Sequence, residues 1–221
     1  MTFVNVRLRA WRDDDAPAVL RAFQAPDLRP QAPWPIVTLT DARGWIASWE
    51  GVGHAFAIVE QDVGVGVGVD VGQEDARGAP ADDSADDSAD DSADDTGERV
   101  VGNVAVTRID DHRNGWVSYW VVPEARGRGV AVAATELLAR WAFEERGLFR
   151  LELGHRTTNA ASCRVATKAG FLPEGVERGK LVHEGVRYDV ERHARLATDP
   201  APLTVAGVPF GRGCRRHIGP G

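Results

Sequence analysis

The chain reads as a run of short periodic segments. Residues 5–11, NVRLRAW, alternate apolar and polar positions, the period of a half-buried strand. DDDAPAVLRAFQ follows from residue 13. Its acids are placed to cap a helix, and Pro17 is tolerated in the first turn, whose N–H groups have no helical partner. Prolines at 26, 30, 33 and 35 break the next stretch into loop. Asp41 is positioned to cap ARGWIASWE, where Trp45, Ile46 and Trp49 share a helical face. HAFAIVEQ, 54–61, reads as a strand. RVVGNVAVTRI (99–109) and GWVSYWVV (115–122) read as two more, joined by the turn-rich DDHRNG. A helix is predicted from about Gly129 to Arg146, with Ala134, Leu137, Leu138 and Trp141 at helical spacing and Gly147 as its stop. LFRLELG is a strand. NAASCRVATKAGF is a second helix, opening near Asn159 and closed by Gly170. GKLVHEGVRYDVERHARL predicts two strands around a turn at Glu184–Gly185. The order is strand, two helices, three strands, helix, strand, helix, two strands. It predicts an α/β (α+β) single domain over residues 1–199, with a mixed sheet of about seven strands and about four helices.

Residues 62–98 interrupt this pattern. DVGVGVGVDVG (62–72) is followed by the four-residue repeat ADDSADDSADDSADDT (81–96). The repeat has nothing apolar to bury and repels itself, so it is expected to be a disordered acidic insertion in one loop. Its paired aspartates lack the glycine turn and closing glutamate of a calcium loop. The segment also corrects the charge. It holds thirteen acids and one base, a net −12, so the other 184 residues carry +5 of the chain's −7. That mildly basic remainder suits a small anionic ligand and argues against a nucleic-acid partner. From residue 200 to 221 the chain is rich in Gly, Pro and Arg and is expected to be a flexible tail. Two cysteines, Cys163 and Cys214, make no disulfide framework, and no apolar run reaches membrane length. A cytoplasmic protein without a membrane partner is expected. The six histidines show no metal spacing along the chain, so no metal is expected.

The chemistry concentrates in YWVVPEARGRGVA, 119–131. A strand ends at Pro123 and a helix opens just past Gly129. A helix start presents unbonded N–H groups and a partial positive charge, and glycine admits a ligand close to the backbone. Such a turn is an anion cradle, with Arg126 and Arg128 adding charge. It has neither the G-K-[ST] ending of a Walker loop nor a G-x-G-x-x-G dinucleotide fingerprint.

This stretch, followed by LARWAFEERGLFRLEL and NAASCRVATKAGFLPEG, resembles the GCN5-related N-acetyltransferase superfamily. More narrowly it resembles the branch that acetylates the N-termini of ribosomal proteins. The likeness runs over most of residues 3–198 outside the insertion, and it implies a single domain of that fold using acetyl-coenzyme A. In the family an R/Q-x-x-G-x-G/A turn binds the pyrophosphate. Here Arg126, Arg128, Gly129, Val130 and Ala131 fill the matching places, with Gly127 between the arginines. The resemblance also implies a bulge near Val121–Val122 that splays this strand from FRLEL, with pantetheine held in the gap by backbone groups. Asn159 matches a cofactor-contacting position and also reads as a helix N-cap. Ser162 matches a serine near the thiol, a candidate proton donor to the leaving thiolate.

Two family positions differ. The strand glutamate often used as a base is replaced by Trp116, after Gly115, and the helix tyrosine by Ala166. Polar candidates left for catalysis are Ser162, Tyr119, His183, Glu184, Tyr188 and Asp189. Trp34, Trp45, Trp49 and Trp116 are candidates for an acceptor pocket or for core. The implied function is acetyl transfer from acetyl-coenzyme A to a primary amine, foremost a protein N-terminal amine. A small-molecule amine is the second acceptor, and a non-catalytic acyl-coenzyme A-binding module is the rival.

Overall fold

The computed structural model describes residues 5–61, 98–183 and 185–202. The acidic repeat, the tail from 203 and Glu184 lie outside the described residues. Seven strands form one sheet: β1 (Val6–Ala10), β2 (Gly53–Gln61), β3 (Glu98–Thr107), β4 (Asn114–Val121), β5 (Arg150–Arg156), β6 (Leu172–His183) and β7 (Val186–Leu196). Their order is β1-β2-β3-β4-β5-β7-β6, antiparallel throughout except for the parallel pair β4–β5. Four α-helices, α1 (Ala16–Ala22), α2 (Leu39–Ala47), α3 (Val130–Glu144) and α4 (Ala160–Lys168), cover it. The predicted class and element order hold.

The alternation along β4 divides the core in two. Val117 and Val121 join the larger cluster with Ala134, Leu137 and Leu138 of α3 and Ala166 and Phe171 at α4. Trp120 points the other way, into a cluster with Val19, Phe23, Trp45 and Ile46 from the α1–α2 side. Trp11, Phe23, Trp45 and Trp120 meet there at ring-centroid distances of 5.2–6.3 Å, edge-on or tilted.

Two helix caps differ from the sequence expectation. The N-cap of α2 is Thr38, whose hydroxyl accepts from the Asp41 N–H at 3.1 Å, while the Asp41 carboxylate accepts from the Thr38 N–H at 2.8 Å. Asp41 is thus the third residue of a capping box. Asp15 precedes α1 without capping it. It is buried and accepts two 2.7 Å bonds from Arg9, whose Nε reaches Glu98 at 3.1 Å. Glu98 therefore belongs to the sheet and not to the insertion. Gln61 and Glu98 face each other in register, so the chain between them leaves and returns at one point.

The parallel pair β4–β5 positions the site. It registers only from Asn114 opposite Arg150 to Trp116 opposite Glu152. Beyond Trp116 the strands part, while β4 stays on β3 in unbroken register through Val121. The splay is as expected, but it begins five residues before Val121, and no register shift marks Val121–Val122. The sheet's recorded shifts lie between β2 and β3, after Ile58, and within the β6–β7 pair.

Candidate functional site

A cleft of about 710 Å³ opens where β4 and β5 diverge, reaching from the loop before α3 to the hairpin of β6 and β7. Its upper end is the turn before α3. Gly127 and Gly129 both have positive φ, 76° and 90°, which accounts for the two glycines. The turn swings the chain so that the N-terminus of α3 faces the cleft. The first recorded bond of that helix is from Ala133 N to Gly129 O, 3.0 Å. Among the described residues no protein partner is recorded for the N–H groups of Gly127 through Val132, as expected for a bare helix start.

Both arginines of the turn are engaged by carboxylates. Arg126 bonds the Val121 carbonyl through Nε at 2.8 Å and pairs with Asp27 at 2.8 Å. Arg128 pairs with Glu60 at 2.9 Å. Glu60 also pairs with Arg99 at 3.0 Å, so Arg128 shares its carboxylate and positive charge remains near the turn beside the amides and the helix dipole. Arg164 and Lys168, one turn apart on α4, also line the cleft and were missed by the sequence reading. Their spacing of four on a helix was the available signal.

Backbone groups alternate along β4. Val122 donates to Val101 at 2.9 Å, so the even-numbered groups bond β3 and the odd-numbered ones face the gap. Val122 N–H is therefore spent within the sheet. Tyr119 turns its backbone groups to the cleft and Val121 its N–H, the Val121 carbonyl being held by Arg126.

At the inner end Tyr119 and Ser162 face one another across the split. The Tyr119 hydroxyl is buried with no hydrogen-bond partner of good geometry, and burial pushes its pKa up, opposed by the nearby Ser162 hydroxyl. The phenol is a donor in search of an acceptor. Asn159 caps α4, its Oδ1 accepting from Ser162 N at 3.0 Å, while the residue itself lines the cleft. The two family departures are structural. Ala166 is fully buried in the core. The Trp116 ring lies against Gly154, sandwiched near the guanidinium groups of Arg108 and Arg192 at 5.4 and 4.6 Å.

Of the hairpin candidates, His183 lines the cleft. Asp189 accepts from Gly179 N at 2.7 Å and serves the hairpin. Tyr188 lies under Arg156 at 5.2 Å.

A second cavity of about 390 Å³ lies on the α1–α2 side of β4 and shares Ser118, Tyr119, Trp120 and Gln31 with the cleft. Phe23, Trp34, Trp45 and Trp49 line it, and among the described residues no carboxylate does. The indole N–H groups of Trp49 and Trp120 are buried without a partner.

A family model described as an acetyltransferase (GNAT) domain matches residues 5–172. The chain belongs to this GNAT acetyltransferase family. It is 31% identical over 96 residues to Bacillus subtilis (strain 168) YdaF, a protein named for an unproven ribosomal N-acetyltransferase activity, covering 43% of this chain and 52% of YdaF. It is 32% identical over 104 residues to YjcK of the same organism, named for an N-acetyltransferase activity, covering 46% and 58%. The chain thus spans about half the length of these curated relatives. Solved structures share the fold. The ribosomal-protein-S5-alanine acetyltransferase of Vibrio fischeri superposes with a TM-score of 0.66 at 17% identity, covering 91% of this chain and 98% of that one. The spermidine N-acetyltransferase of Vibrio cholerae, solved with CoA and spermine, superposes with a TM-score of 0.65 at 14% identity, covering 88% and 97%. Acetyl-coenzyme A is the cosubstrate this family membership brings. The donor set fits it: a run of amides with no well-formed bond among the described residues for a diphosphate, the Val121 N–H and the Tyr119 backbone for an amide-bearing arm, and a buried hydroxyl for the sulfur end.

Proposed function

We propose that this domain transfers the acetyl group of acetyl-coenzyme A to a primary amine, foremost the N-terminal amine of a protein. The observation that carries the reading is the alignment of three features along one cleft. These are the open amides of Gly127 to Val132, the gap-facing backbone of Val121, and the unpartnered Tyr119 hydroxyl beside Ser162.

When bound, acetyl-coenzyme A supplies a thioester carbonyl and a thiol leaving group. The amides of Gly127, Arg128, Gly129, Val130 and Ala131 would hold the diphosphate, and Asn159 would meet the cofactor from the start of α4. The strand N–H at Val121 orients the arm, and that of Tyr119 lies where the carbonyl oxygen gains charge. On attack by the amine the C–S bond would break, with the Tyr119 hydroxyl placed to give its proton to the departing sulfur and regain one from water, and Ser162 next to it. The proton lost by the amine leaves through water or His183. Positioning of the two substrates supplies most of the rate.

The second cavity favours the peptide acceptor over a polyamine. A polyamine needs carboxylates to replace its hydration, and the described residues of the cavity wall offer none. Aromatic walls and unpaired indole donors suit an apolar first side chain and a peptide carbonyl. Release of free thiol from acetyl-coenzyme A, measured with peptides beginning in small or apolar residues and with spermidine, tests this. Peptide-dependent turnover that exceeds spermidine turnover is expected. Cofactor binding with no turnover on any amine would instead favour a binding module.

A further inference from the structure

Four potential ligands from three separate elements converge under α4, beside the cleft. His155 of β5, Glu191 and His193 of β7, and Cys163 of α4 bring one ligand atom each to within 4.8 Å of one another. The two histidines are buried, and the other two residues are partly so. The sheet register explains the convergence. His155 faces Glu191 across the β5–β7 pair, and His193 lies two positions along the same face. Cys163 descends onto that face from the first turns of α4. The spacing of these residues along the chain hid the cluster, because β7 returns beside β5 only after the intervening hairpin.

The hydrogen bonds fix which nitrogens are available. Nδ1 of His155 lies 3.0 Å from the Arg156 carbonyl, and Nδ1 of His193 lies 3.4 Å from the Phe171 carbonyl. A carbonyl only accepts, so with the hydrogen on each Nδ1 both neutral rings turn a lone pair outward at Nε2. Those two Nε2 atoms are 3.1 Å apart. Two lone pairs at that distance repel unless a cation sits between them. Glu191 Oε2 lies 3.7 and 3.8 Å from the same two nitrogens. Ligands around a tetrahedral zinc, with bonds of about 2.0–2.3 Å, stand roughly 3.3–3.8 Å from one another. Backbone carbonyls holding the remote nitrogens are the outer support that ligating histidines use.

We propose that His155, Cys163, Glu191 and His193 form a structural zinc site that clamps α4 to β5 and β7. Two neutral imidazoles, one carboxylate and one thiolate carry two negative charges, which balance a divalent cation. The thiol of Cys163 releases its proton to solvent on binding. The mixed nitrogen, sulfur and oxygen set in tetrahedral array selects zinc over magnesium or calcium. With four protein ligands the site is closed, so it acts by fixing the end of α4 that carries Asn159 and Ser162. It is independent of the acetyl-transfer reading.

The test uses the full chain, loaded with excess zinc, gel-filtered and analysed by elemental mass spectrometry. About one tightly held zinc per chain is expected, with loss of that ion in Cys163→Ser and in His193→Gln. Cobalt substitution is expected to give a thiolate-to-cobalt charge-transfer band in the near ultraviolet that Cys163→Ser abolishes. Should His193→Gln fail to fold, the serine variant, which changes one atom at a partly exposed position, still decides. Chelation is expected to lower the Tm of the wild type, and zinc to restore it. Zinc retained equally by both variants would mean that the aspartate repeat, Cys214 or His217 holds it, and would overturn the proposal. No retained zinc and a Tm indifferent to chelator would overturn it too, leaving a proton shared between the imidazoles.

Discussion

Tyr119 is the residue on which the proposed chemistry turns. Its folded pKa is raised, first by burial. The stability tied to that shift is complete below the ordinary tyrosine value and is lost as pH climbs through the folded one. At neutral pH the hydroxyl therefore keeps its proton. Tyr119→Phe is expected to lower kcat by about 10²-fold with little change in KM for acetyl-coenzyme A. Steady-state thiol release with varied cofactor checks this, and an unchanged kcat would remove Tyr119 from the reaction. At this scale the glycines of the turn were legible, because a positive φ at a helix mouth leaves few choices. The arginines were less so. Nothing along the chain pairs Arg126 with Asp27 or Arg128 with Glu60, since each pair is made by folding.

Among the elements, strands and long helices were legible because the sheet buries one or both faces and α3 shows its apolar positions at helical spacing. What the pattern hid was the ion cluster at the start of the chain. Arg9 sits at a polar position of an alternating strand, yet it is buried between Asp15 and Glu98, whose side chains are 7% and 5% exposed. Periodicity marks which side a residue faces and says nothing of a carboxylate arriving from 89 positions away. Removing one partner leaves a buried charge without its match. Asp15→Ala is expected to destabilise the fold by about 3–5 kcal/mol, measured by urea denaturation. A loss well under 1 kcal/mol would show that the cluster opens readily to water. The splay of β4 from β5 was expected from family resemblance alone. The strand pattern gives no reason for pairing to stop after Trp116.

Across the whole molecule, the fold is one sheet whose split is the site, and the acidic segment is attached at a single point on it. Gln61 and Glu98 are register partners at the ends of the neighbouring strands β2 and β3, next to Glu60, which pairs with Arg128 of the turn before α3. Deleting 73–97 is expected to raise stability by about 1 kcal/mol through reduced closure entropy. Calorimetric cofactor affinity is expected to stay unchanged, and a large drop in either quantity would assign the segment a role in the domain. The zinc cluster belongs to this scale as well, since strand order, not chain spacing, assembles it.

The most direct test of the central claim is an amide-resolved NMR titration with coenzyme A. The largest shifts are expected at the N–H groups of Gly127, Arg128, Gly129, Val130, Ala131 and Val132, with smaller ones at Val121 and Asn159. Shifts that leave this turn untouched and gather elsewhere would contradict it.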